Sequence, residues 1–357
     1  MVLILLFFVL IFFSYREIFF EKNNLLFFYL LAFIVAIIDG LRWNSGVDFQ
    51  MYHNSYTKLF NSVDLHNGRY DFLYLLLTKL FKILNLHYTF FLLGISLFTT
   101  FLYVFTIKKF TQYPIFALLC FFVNIIGFWG NNRQLIALGI VFFSIQFLIK
   151  RKYLLFVTCV LIASGFHFTA IMMLFLPICN MEFKRHDLLA LVVFGLLSFS
   201  ILSEKNLLWF FEINKDYFPH FHERFNSYKK INHIQIDPVF LILGIARKLL
   251  PVCFLFYFRK SFSKLDGYHF FLNISILSLV VYLWVKFNFV YLAGRFTIYF
   301  SIYECIIYSW FGYIVLKSNS KRILFLFFVI FFGFVFWKSI SLYPHLFVPY
   351  NTIFFSF

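Results

Sequence analysis

Charge is what this chain has least of. Only 13% of its 357 residues are Asp, Glu, Lys or Arg, against 62% hydrophobic residues, and the mean hydropathy is +0.86. Such a chain cannot cover itself with polar surface, which excludes a water-soluble globular protein. Cysteine is scarce too: the five, at positions 120, 159, 179, 253 and 305, lie within or at the edge of apolar runs and show no Cys-x-x-Cys spacing. That argues against disulfides and against a thiolate metal site. Also missing are an internal repeat of useful period and a Gly/Ser or Pro linker. The first 13 residues carry neither a basic leader nor a small-residue cleavage site, and they read as a retained first helix. Acidic residues are outnumbered 15 to 31, giving a formal charge of +16. The basic residues are nonetheless scattered in short clusters between apolar runs, which excludes a nucleic-acid face and suggests topology signals.

What is there is a succession of apolar runs of about 15 to 22 residues, enough for roughly ten to thirteen spanning helices. The expected fold is an all-α polytopic transmembrane bundle, with residues 1–357 as a single membrane domain. The 61 phenylalanines suit lipid-facing positions, which accept any large apolar side chain. The basic clusters are Lys108 and Lys109, Lys150 to Lys152, Lys184 and Arg185, Arg259 to Lys264, and Lys317 to Arg322. Placing them in the cytoplasm requires an even number of crossings between neighbouring clusters. Runs near 114–128, 133–149, 153–166, 168–179, 188–202, 238–258, 268–285, 291–316 and 323–339 meet that requirement. The outward side then collects residues 127–133, His167, a larger external loop at 203–237, residues 286–291 and the C-terminus. Residues 40–68 form a first external loop, and the short run 72–84, with Lys79 and Lys82, reads as a re-entrant or interfacial helix.

Ionisable groups deep in a bilayer cost on the order of 2.5 to 3.5 kcal/mol each, so those present call for a reason. Arg133 opens the helix "NNRQLIALGIVFF", where a cation meets the positive end of the helix dipole. A guanidinium beside free backbone N–H groups makes a phosphate or pyrophosphate pocket; the alternative is an interfacial arginine on lipid headgroups. Arg247, with Lys248 and four residues before Pro251, falls near the middle of its run and suggests either a polar cavity or an internal ion pair with Glu304. Arg295 in "YLAGRFTIYF" either serves the site or snorkels to the surface. His167 in "ASGFHFTAIMML" sits at an outward hairpin, as a structural group or a site residue. "DGLRWNSGVDFQMYHNSY", residues 39–56, gathers an arginine, two carboxylates and several amides where an apolar helix ends. "HFHE" with His233 in the 203–237 loop is a weak metal pattern.

In order along the chain, "GLRWNSGVDFQMYHNSY", "NNRQLIALGI", "ASGFHFTAIMMLFLP", "AGRFTIYF" and "YPHLFVPYNTIFF" resemble the segments of the EpsG family of membrane glycosyltransferases, within the Wzy-type O-antigen and exopolysaccharide polymerases. One departure is "RYDFLY", where family members more often carry a glutamate before the re-entering helix; it withholds a carboxylate role from Asp71. The resemblance implies a GT-C-like polymerase architecture in the bacterial inner membrane. It implies transfer of a growing glycan from undecaprenyl pyrophosphate onto an incoming lipid-linked repeat unit at the periplasmic face, with no metal or other cofactor. The implied partners are the lipid-linked donor and acceptor, membrane lipids, and a chain-length regulator and flippase of the same pathway. Arg133, Arg247, Arg295 and Arg42 are then candidates for pyrophosphate binding, Asp48 and His167 for acid-base work at the acceptor hydroxyl, and Gln134 and Tyr52 for orienting substrate. Arg42 can alternatively complement a helix C-terminus, and Asp48 can be a turn or cap residue. The 203–237 loop is expected to help set glycan specificity. A lipid-linked oligosaccharide flippase or other transporter is the competing reading.

Overall fold

The structure is a computed structural model and describes residues 2–20, 24–58, 71–182, 206, 209, 212–213, 238–288, 293–315, 320–341 and 344–354. The described residues are helical, joined by short turns, with one isolated antiparallel bridge between Arg42 and Thr352. The chain divides into two compact units, Met1–Leu174 with Ile302–Phe357, and Phe175–Ser301. The first boundary falls inside a continuous apolar 3-10 stretch, Phe168–Asn180, rather than at a polar linker.

The first unit begins with α1 (Val2–Phe19), α2 (Leu25–Gly40), α3 (Phe49–Lys58), α4 (Phe72–Ile83), α5 (Tyr88–Phe110), α6 (Pro114–Ile125), α7 (Asn132–Ile149) and α8 (Tyr153–Phe166). Local chemistry sets several starts. The Asn24 side chain accepts the Phe27 N–H at α2, as an N-cap should. Pro114 occupies the first turn of α6, where its missing N–H costs nothing. The next two N–H groups of α6, from Ile115 and Phe116, donate to the buried Glu17 carboxylate at 3.0 and 2.9 Å, so α1 caps α6 from outside. All twelve residues of α6 are buried, and α1 and α2 pack against it. Further packing joins α2 to α5, α5 to α7, α7 to α8, and α4 to α8.

Five described helices are long and apolar enough to cross a membrane: α1, α5, α7, Tyr268–Phe287 and Lys321–Ser341. Leu5, Phe8 and Phe12 stand exposed along α1, and Ile323, Leu326 and Ile330 do the same on the last long helix. In water these rows would be large apolar patches; against acyl chains they are the expected surface. The protein is therefore a polytopic helical membrane protein.

In the second unit α9 (Pro238–Tyr257) and α10 (Tyr268–Asn288) pack together, with α11 (Ala293–Ser301) on α10. Asn273 of α10 donates to the carbonyls of Cys179 and Met181, fixing the end of the 3-10 stretch. The run expected as one helix over 291–316 is broken into α11, α12 (Glu304–Ser309) and α13 (Phe311–Val315), ahead of α14 (Lys321–Ser341). Glu304 thus opens a short helix of the first unit instead of lying deep in the helix of Arg295. The run 168–179, expected as a spanning helix, is the 3-10 stretch and contains Pro177, which cannot supply a helical N–H.

The ends of the first unit differ. At one, Glu17 meets the start of α6, Lys109 donates to Gln146 of α7, and Lys321 lies over the Phe19 ring. Trp310 donates to the Phe110 carbonyl at the same level. This end collects three of the basic clusters, at 108–109, 150–152 and 321–322. The other end, about 27 Å away along α7, holds the polar segments. The short α4 starts and finishes there: Asp71 before it meets Arg133 of α7, and Lys82 in its last turn donates to the Thr57 carbonyl of α3. It lies across that end instead of spanning.

Candidate functional site

The polar end of the first unit is built on a backbone lock. Val47 N–H donates to the Trp129 carbonyl at 2.7 Å, and Gly46 and Gly130, at φ of +88° and +106°, lie against the backbone of Trp129 and Val47 respectively. A Cβ on Gly130 would lie 1.9 Å from the Val47 carbonyl oxygen, so only glycine permits this approach. On its other side the 41–47 loop is held by the C-terminal segment: Trp43 N–H donates to Asn351, Ile353 N–H to Leu41 and Gly46 N–H to Leu346, while the Tyr350 hydroxyl donates to Ile38. Three distant stretches, 38–47, 129–133 and 344–353, are thereby one body.

Arg42 is the buried pin of this body. Its guanidinium pairs with Asp39 through the carboxylate and the carbonyl, and its second arm donates to Asn132, the residue before Arg133. Asn132 also meets the Tyr74 hydroxyl of α4. Only 2% of the Arg42 side chain is accessible, and its guanidinium is paired with and enclosed by Asp39.

Arg133 is placed differently. Its Nε donates to the Tyr52 hydroxyl at 3.1 Å, its Nη1 to Asp71 Oδ2 at 3.0 Å, and its guanidinium carbon lies 5.8 Å from the Tyr52 ring centre. The same Asp71 oxygen is 3.8 Å from His167 Nδ1 at the C-terminus of α8. Burial pushes the Asp71 carboxyl up, but the His167 imidazole, the Arg133 charge and the Phe168 N–H together hold it below the ordinary carboxylate range. All three side chains retain about 15% exposure, enough to meet a ligand. A guanidinium fixed in plane by two partners, beside an ionised carboxylate and an imidazole, can hold an anion and move a proton.

Of the expected site residues, the structure joins Arg133, His167 and Tyr52. Tyr52 orients Arg133 and is itself buried. Gln134 is buried in the first turn of α7, enclosed by the bundle. Asp48 precedes α3 in the left-handed region at φ +59°, half-buried, with its carbonyl accepting the Tyr52 N–H. Its carboxylate has no ion pair with any described residue, and the carboxylate that meets Arg133 and His167 is Asp71. The departure at "RYDFLY" had withheld a carboxylate role from Asp71, and α4 begins immediately after it. The signal available was an aspartate followed by a helix too short to span, which returns its first residue to the polar end.

Arg247 and Arg295 belong to the second unit. Both are half-buried, and the Arg247 charge acts on the Tyr282 hydroxyl of α10. The neighbouring Lys248 is buried, its ammonium bonded to Ser301 of α11. The 203–237 loop, including "HFHE" and His233, lies outside the described residues apart from positions 206, 209, 212 and 213, and so does 59–68 of the first loop.

Neither the curated proteins nor the solved structures contain a match to this chain. The EpsG family model matches residues 24–352, which takes in the polar end just described up to Thr352. With nearly its whole length matched, the chain belongs to the EpsG family, a Wzy-like polymerase family whose members have polysaccharide polymerase-type function.

Proposed function

We propose that the protein joins undecaprenyl-pyrophosphate-linked oligosaccharide repeat units at the periplasmic face of the bacterial inner membrane. The observation that carries this reading is the Arg133–Asp71–His167 contact at the end of the bundle opposite the basic clusters. Basic clusters favour the cytoplasmic side, which supports the reading that the site faces outward.

In this mechanism Arg133 holds the donor's pyrophosphate. The acceptor sugar hydroxyl attacks the anomeric carbon, the bond from that carbon to the pyrophosphate oxygen breaks, and undecaprenyl pyrophosphate leaves with the bonding pair. The hydroxyl proton passes to His167, whose imidazole Asp71 orients and whose positive charge it then balances. Asp71 also neutralises much of Arg133. Tyr52 keeps the guanidinium plane from turning.

The test is the surface-glycan ladder of a strain deleted for this gene and complemented at matched membrane abundance. Deletion should collapse the ladder to single repeats, wild type should restore it, and Arg133→Ala or His167→Ala should not. An unchanged ladder, or loss of even the single repeats from the surface, would favour the flippase reading instead.

A further inference from the structure

Beside the Arg133 cluster lies a layer of rings that the reaction described above does not use. Helix α3 presents Tyr52 to Arg133, while Phe49 and His53, one turn apart, face a neighbouring direction. Phe49 and Tyr88 of α5 are buried and meet edge-on, 5.7 Å between centres. On this base His53 stacks against Phe49 at 5.9 Å and 10° and meets Tyr88 at 5.2 Å. Trp43 lies 5.3 Å from His53 and stacks on His87 at 5.7 Å and 17°. The outer rings differ from the base in exposure: Trp43 and His53 are half-buried and His87 is exposed. At the layer's edge the exposed Asn44 and Gln50 side chains are bonded to each other at 2.7 Å.

Every part of this layer is held in place. The Trp43 backbone is pinned to Asn351. Asn44 takes a left-handed φ of +49°, a conformation asparagine tolerates. His87 Nδ1 accepts the Thr89 N–H at the start of α5, which fixes the ring and turns its other nitrogen outward. Burial, and then the neighbouring His87, push the His53 imidazole's pKa down, which favours its neutral form.

We propose that Trp43, His53 and His87, rimmed by Asn44 and Gln50, form a carbohydrate subsite that holds the glycan of the acceptor repeat unit. The inference rests on the polymerase reading above. Where this protein faces lipid it exposes Phe, Leu and Ile, as along α1. Here it exposes rings with polar edges and a pair of planar amides. A pyranose has the same division, with C–H groups on its faces and hydroxyls round its rim. The electron-rich faces of the rings attract the C–H groups, while amides and imidazole nitrogens bond the hydroxyls. The subsite and the reacting centre share α3, which carries His53 in the ring layer and Tyr52 on Arg133.

The test uses the full chain in membrane vesicles, with lipid-linked repeat units purified from a strain lacking the polymerase as substrate. The same oligosaccharide, released from its carrier by mild acid, serves as competitor. The released oligosaccharide should inhibit the wild type. Trp43→Ala should raise both the apparent KM and the inhibition constant roughly tenfold with kcat little changed, Trp43→Phe should stay near wild type, and Gln50→Ala should move both constants the same way by less. Unchanged constants at matched abundance, or a fall in kcat alone, overturn the subsite while leaving the polymerase reading intact. Should Trp43→Ala fail to accumulate, the exposed Gln50→Ala decides the matter by the same criteria. Wild-type vesicles that make no polymer from these units would remove the polymerase reading and the subsite together.

Discussion

The two arginines of the polar end have similar sequence surroundings and different work. Arg42 is enclosed with Asp39 and Asn132, whereas Arg133 reaches a half-open site through Tyr52 and Asp71. Removing one member of a buried pair strands the other charge, at a cost of about 3 to 5 kcal/mol. Arg42→Ala should therefore lower the thermal unfolding temperature of the purified protein sharply and reduce its membrane abundance. Arg133→Lys keeps the charge but loses the planar fork that Tyr52 and Asp71 hold. It should leave unfolding near wild type and cut polymerisation by about 100-fold or more; an active Arg133→Lys protein would contradict the assigned geometry. Asp71 gives a pH test. Its folded pKa is depressed, so its stabilising contribution is fully present above the unfolded value of about 3.9 and is lost only as pH falls through the lower folded value. The unfolding-temperature gap between wild type and Asp71→Asn should stay constant from neutral pH down to the ordinary carboxylate range and close beneath it. At this scale residue type and position singled out Arg133, His167 and Tyr52, which the structure brings together. The pairing of Arg42 with Asp39, three residues before it, was not read from the sequence. Nor was Asp71, because its role depends on where a short helix turns back.

Among elements, the helix ends carried most of the sequence signal. Asn24, Pro114 and the last-turn Lys108 and Lys109 bound α2, α6 and α5 as capping and dipole chemistry require. The break of the 291–316 run was illegible: Tyr303 and Trp310 are apolar enough to pass for helix interior, and neither Pro nor Gly marks the interruption at 302–303. Cross-helix capping was equally invisible, since Glu17 and Ile115 are far apart in sequence. Replacing Glu17 by Ala leaves two N–H groups at the buried start of α6 without their acceptor. A loss of about 1 to 3 kcal/mol for each stranded group is the expected scale, visible as a lower unfolding temperature in detergent, with Glu17→Gln intermediate. Gly130→Ala should be worse for the site than for the bundle. The added methyl collides with the Val47 carbonyl and displaces the 41–47 loop from the start of α7. Polymerisation should be lost, and a protein of normal activity would show that the lock is dispensable.

For the whole molecule, the first unit has a basic end and a polar end, and the site belongs to the polar one. If the basic end is cytoplasmic, a cysteine at position 44 in a cysteine-free background should react in intact spheroplasts with a membrane-impermeant thiol reagent. A cysteine at position 151 should react only after permeabilisation. The reverse pattern would place the site in the cytoplasm and exclude acceptor delivery from outside. Composition made the membrane class and the helical bundle legible. It left the division into two units hidden, because no change in polarity accompanies the boundary at Leu174 and Phe175. The most direct measurement is made on the full chain reconstituted in liposomes with undecaprenyl-pyrophosphate-linked repeat units, following glycan length and released undecaprenyl pyrophosphate together. One carrier should be released for each linkage formed with wild type, and neither product should appear with Asp71→Asn or Arg133→Lys at equal incorporation. Chain growth without carrier release, or undiminished growth with both variants, would contradict a site centred on Arg133, Asp71 and His167.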